Sequence, residues 1–115
     1  MDLQLTELEA LIESIGQEAY TKVCTVSHAS IGQHLRHMVE IFNLLLSDYE
    51  SATIDYSLRA RDLRIETDLE FAQLQIKNLK EGYKKTDKKI SLVAHDQRFD
   101  SSYNRELLYL SLIHI

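Results

Sequence analysis

The sequence predicts an all-α fold, an up-down four-helix bundle with its last helix incomplete, in a single domain over residues 1–115. Two observations predict it. The 115 residues include no proline and only three glycines, so long helices meet few interruptions. Apolar residues also recur at 3,4 spacing along three long stretches, and capping signals open two of them.

The first helix is expected over about residues 3–21, where Leu5, Leu8, Ile12, Ile15 and Ala19 make one stripe. Gly16 weakens it by roughly 1 kcal/mol relative to Ala. "TVSHAS" then breaks the pattern. The second helix starts at Ser30, which forms an S-x-x-Q capping box with Gln33. Its stripe, Leu35, Met38, Phe42, Leu45 and Tyr49, runs to about Glu50. "SATIDYSLRARDLRIE" reads as a connection of weak periodicity. The third helix starts at Thr67, in a T-x-x-E box with Glu70, and ends at Gly82. "YKKTDKK", with Lys84, Lys85, Lys88 and Lys89 in or beside it, is a solvated turn. "KISLVAHDQRF" is short and β-prone and reads as either an extended segment crossing the bundle or a weak strand, a lone strand being unable to build a sheet. The last helix starts near Ser101 or Ser102.

Composition narrows the function classes. The apolar (44%) and charged (27%) fractions are those of an ordinary soluble domain. No apolar run approaches the roughly 20 residues of a membrane span, and the acidic, alternating start is not a signal peptide. A net charge of −5 argues against a nucleic-acid surface. Cys24 is the single cysteine, which fits a reducing, cytoplasmic setting. It reads as a buried, inert thiol. No Ser-His-Asp set, phosphate loop or CxxC pair is present.

The candidate chemistry lies in "SIGQHLRHMVE". On a helical wheel, Gly32, Gln33, Arg36, Glu40, Asn43, Ser47 and Glu50 gather on a polar arc of roughly 100°. His34 and His37 fall, roughly 60° apart, in the apolar remainder. A buried histidine must hydrogen-bond or coordinate. The two readings are core histidines bonded to neighbours, and ligands of a divalent metal. Arg59, Arg61 and Arg64 follow within six residues, interleaved with Asp62 and Glu66. They either pair with local acids or hold a carboxylate of a substrate.

The elements "SIGQHLRHMVE", "DYSLRARDLRIETD" and "SSYNRELLYL", in that order, resemble the DinB-like superfamily. The resemblance spans about residues 20–110. It implies a four-helix bundle with a three-histidine zinc or nickel site, His37 being one ligand and a final-helix His-x-x-x-His the other two. It implies a metal-dependent transferase using a low-molecular-weight thiol, or a hydrolase, with the arginine-rich connection near the site. The chain departs from the pattern at "SLIHI", where His114 stands without its partner. The last six residues also match the translation of a transposon end used in DNA library preparation. Residues 110–115 are therefore expected to be non-native and the metal site incomplete. With the last helix short, uncovered apolar faces favour a homodimer.

Overall fold

The computed structural model describes residues 2–113, and for residues 2–3 and 111–113 the backbone alone. It corrects the expected all-α bundle. Six α-helices accompany a three-stranded mixed sheet. The helices are α1 (Asp2–Ser14), α2 (Gln17–Thr21), α3 (Ile31–Ser47), α4 (Arg64–Thr67), α5 (Leu69–Gly82) and α6 (Tyr103–Ile113). The strands are β1 (Thr53–Ile54), β2 (Lys89–Ala94) and β3 (Gln97–Ser102). A short 3-10 turn, Tyr56–Leu58, follows β1. Among the described residues no helix is long and apolar enough to cross a membrane.

The sheet arises where periodicity was weakest. β1 pairs in parallel with β2, Ile54 opposite Leu92, and β2 pairs antiparallel with β3. The β2–β3 turn is His95–Asp96, both at positive φ (51° and 63°), as a two-residue hairpin turn requires. His and Asp tolerate that region better than most residues do. The β-prone run is thus a strand with two partners. One of them, β1, is only two residues long and lay hidden in the mixed-charge connection.

The helices follow local signals more closely. Gly16 splits the expected first helix into α1 and α2, with its backbone extended at the boundary. α3 begins with the Ser30–Gln33 box intact, each side chain bonding the other residue's amide. α5 is capped by Asp68, whose carboxylate accepts the Phe71 N–H, and not by Thr67. The Thr67 hydroxyl donates back to Leu63 O instead. α6 starts one residue after Ser102, whose hydroxyl accepts the Arg105 N–H.

One core joins all layers. Leu5 and Ile12 of α1 and Tyr20 of α2 meet Leu35, Met38, Val39, Phe42 and Leu45 of α3. Ile65 of α4 and Ala72, Ile76 and Leu79 of α5 complete that side; Ile54, Ile90, Tyr103, Leu107 and Leu110 close the other. Tyr20 donates its hydroxyl to Ile65 O. Gln17 bonds Leu69 N–H and Thr67 O, tying α2 to the α4–α5 junction. The lysine turn packs against Tyr49, with Lys88 Nζ 4.2 Å from the ring centroid.

Candidate functional site

The histidine turn of α3 is more open than its sequence implies. The helix buries Leu35, Met38, Val39, Phe42 and Leu45, but His34 and His37 are both exposed. Their sector is covered only further along, where Ile41 is buried and Leu44 half-buried. The expectation of two buried histidines is therefore corrected. Periodicity identified the sector but not where along the helix its cover begins.

Glu40 is the second correction. Expected on the solvated side, it is 3% exposed. The connection after the 3-10 turn folds over it. Its Oε2 accepts the Asp62 N–H at 2.7 Å. Its Oε1 lies 3.5 Å from Arg59 Nε and 3.9 Å from Arg36 Nε. Arg36 also reaches Glu66, Nη1 to Oε2 3.3 Å. Arg36 Nε, Arg59 Nε, Glu40 Oε1 and Glu66 Oε2 are buried without hydrogen-bond partners. The cluster is therefore held by charge attraction more than by directed hydrogen bonds, and it pins the arginine-rich connection to α3.

This arrangement brings some of the candidate residues together. Burial, then the positive charges of Arg59, Arg61 and Arg36, hold the His37 pKa below its usual 6.5, against an opposing pull from Glu40. His37 is thus favoured as the neutral imidazole, the form that ligates metals or accepts a proton. Arg61 is exposed beside it, free to meet an anion from solvent. Arg64 points elsewhere. Its guanidinium pairs with Asp62 at 3.1 Å and lies 4.1 Å over the Phe71 ring. Their hydrogen-bonded contact lowers the Asp62 pKa and raises that of Arg64.

Two imidazoles three residues apart on one exposed helix face suit zinc or nickel. They supply two of the roughly three protein ligands that a catalytic zinc site needs. Among the described residues no three His, Cys, Asp or Glu side chains converge as a ligand set. His114 lies outside the described residues.

Sequence reasoning missed a second concavity. A cleft of about 760 Å³ opens between α3, the 3-10 turn, β3 and α6, lined by Ile41, Leu92, Phe99, Tyr109 and Leu110 among others. Buried Glu106 lies on its wall, accepting the Tyr56 hydroxyl at 2.9 Å and the Ser101 hydroxyl at 2.7 Å. Burial and the Glu106 carboxylate push the Tyr56 pKa well above its ordinary value. The signal was the glutamate of "RELL", which stands on α6's apolar side between Tyr103 and Leu110.

The chain matches no known family model, no curated protein and no solved structure. Cys24, expected to be buried, is exposed, with neighbouring backbone N–H groups holding its pKa down.

Proposed function

We propose that the His34–His37 turn and the arginine connection form part of a metal-dependent small-molecule site, of the DinB-like transferase or hydrolase kind. The observation that carries this reading is Glu40. Buried, it fixes Arg59 and the Asp62 amide against α3 and so keeps the basic connection beside His37. Charges that cost this much to bury need a partner, and here Arg36 and Arg59 each have an acid. The residual positive charge at Arg61 faces solvent.

In this reading His37 and His34 hold a divalent metal, zinc or nickel. The chemistry such a metal supplies is a lowered pKa for a coordinated thiol or water. His37 enters as a neutral donor because burial and Arg59 disfavour its charged form. Arg61 attracts the anionic group of the substrate, a low-molecular-weight thiol bearing a carboxylate being the class the resemblance favours. Arg59, held by Glu40, orients rather than binds. Arg64 has no part, since Asp62 and Phe71 occupy it. A single exposed cysteine suits a reducing cytoplasm.

A second reading has its own observation. Most of the arginine charge is already matched by acids, as in a purely structural clamp, and a non-catalytic module needs no more. Calorimetric titration with Zn²⁺ and with Ni²⁺ separates the two. The site reading expects about one weakly bound metal per chain, lost in His37→Ala and weakened in His34→Ala. Binding unchanged in both variants, or none at all, overturns it in favour of the structural module.

A further inference from the structure

β3 ends the sheet. It pairs with β2 from Lys89↔Ser102 to Ala94↔Gln97, and among the described residues no strand lies on its other side. Residues 97–100 are exposed. The backbone groups offered at that edge follow from the bonds already made. Ser91 donates its N–H to Ala52 O at 2.8 Å, on the β1 side. Successive residues of a strand bond to opposite neighbours, so Ser91 and Asp100 form a non-hydrogen-bonded pair. The Tyr103 N–H, three residues on from Asp100, is bonded inward to Lys88 O at 2.9 Å, as the opposite parity requires. Arg98, Asp100 and Ser102 therefore aim their N–H and C=O groups at the open edge.

Open edges are commonly blunted by charged side chains, lysine above all, by proline or by a bulge. β3, "QRFDSS", carries neither proline nor lysine, and its ladder with β2 runs without a bulge. Its two charges have opposite sign and stand either side of Phe99, which is 50% exposed.

We propose that β3 pairs with β3 of a second copy of this chain, antiparallel and centred on Phe99, making one six-stranded sheet. Two-fold pairing that keeps outward-facing residues opposite one another, with paired neighbours on both sides of the axis, can centre on Arg98, Phe99, Asp100 or Ser101. Centring on Ser101 sets Asp100 against Ser102 and opposes no unlike charges. Centring on Arg98 opposes two guanidiniums, and centring on Asp100 opposes two carboxylates. Both juxtapositions are unfavourable. Centring on Phe99 sets Arg98 against Asp100 twice, as hydrogen-bonded pairs, and brings the two Phe99 rings together in the closer, non-hydrogen-bonded geometry. Phe99 stands opposite Leu92 in the β2–β3 ladder, and both line the apolar cleft. The paired rings extend that apolar surface across the two-fold axis.

Sedimentation equilibrium tests this, with circular dichroism confirming that each variant folds. The wild-type chain is expected to dimerise at tens of micromolar. Arg98→Asp or Asp100→Arg alone opposes like charges and is expected to abolish the dimer. The double variant Arg98→Asp/Asp100→Arg restores unlike pairs and is expected to restore it. Only the Phe99-centred register gives that rescue: centred on Arg98 or Asp100 the exchange replaces one like pair with another, and centred on Ser101 it changes only a charge facing Ser102. In a Cys24→Ser background, Phe99→Cys is expected to form a disulfide-linked dimer on oxidation, since the two positions face each other at close range. A wild-type monomer at hundreds of micromolar overturns the proposal. So does a dimer indifferent to the single charge variants, a folded double variant that stays monomeric, or no cross-link at Phe99→Cys.

Discussion

His37 is a surface imidazole whose charge is disfavoured first by partial desolvation and then by arginines, two of them on a connection far along the chain. Burial disfavours the imidazolium, and Arg59, Arg61 and Arg36 repel it. A lowered pKa means that the fold prefers the neutral ring. That preference contributes stability fully above the usual 6.5 and loses it as pH falls through the lowered value. Proton NMR of the ring is expected to show a midpoint below 6.5. In Arg59→Gln the midpoint moves up, because one cation is gone and Glu40 has lost a partner that offset its charge. A midpoint at or above the usual value in the wild type means that the connection does not lie over α3 in solution. The helical wheel put His37 in the apolar arc, yet the residue is exposed, because periodicity is a property of α3 alone and cover depends on what packs over each turn. It could not show that Glu40, one turn on and on the polar arc, is buried, because the segment that buries it is the 59–62 connection. The available hint was charge: three arginines in six residues, plus Arg36 one turn before Glu40, need more acid than their neighbours provide.

Helix α3 approaches α4 closely enough that only hydrogen fits at Gly32. A Cβ there meets Glu66 O at 2.3 Å and Tyr20 Cε2 at 2.9 Å. The neighbours cannot yield cheaply, since one is backbone and the other belongs to a fully buried ring hydrogen-bonded to Ile65 O. Gly32→Ala gains about 1 kcal/mol in helix propensity. Against that, forcing a methyl into a filled contact costs typically about 1–3 kcal/mol, and more where backbone must shift. The clash is expected to win, giving net destabilisation of about 1 kcal/mol or more in urea unfolding. Gly16→Ala, with nothing within 4 Å of its Cβ, is the control and is expected not to destabilise. Equal behaviour of the two variants refutes the close approach. Elements were legible where their signals are local. The Ser30–Gln33 box is complete within four residues and was found. The α5 cap was placed one residue early, because Thr67 and Asp68 are both good caps and tertiary context chose between them. The sheet was not legible. β1 has two residues, and the turn at His95–Asp96 lacks the glycine that usually marks such a hairpin.

At the scale of the molecule, the helical layer and the sheet layer share apolar core and a polar tie. Glu106 stands in the first turn of α6, where the helix dipole favours a carboxylate. Each of its oxygens accepts one hydroxyl, from Tyr56 beyond β1 and from Ser101 at the end of β3. Three segments separated in sequence thus meet at one buried carboxylate, on the wall of the cleft. At 6% exposed, Glu106 cannot readily exchange a lost partner for water. Tyr56→Phe keeps the ring and its packing but leaves Oε1 unsatisfied, which costs about 1–3 kcal/mol. The expected result is a lower denaturation midpoint with an unchanged slope, because the cost falls on the folded state and not on the area exposed by unfolding. Tyr109→Phe, at a ring 61% exposed on the same cleft, is expected to change nothing. If Tyr56→Phe is equally silent, Glu106 is reached by water in solution, and apolar packing alone joins α6 to the 3-10 turn.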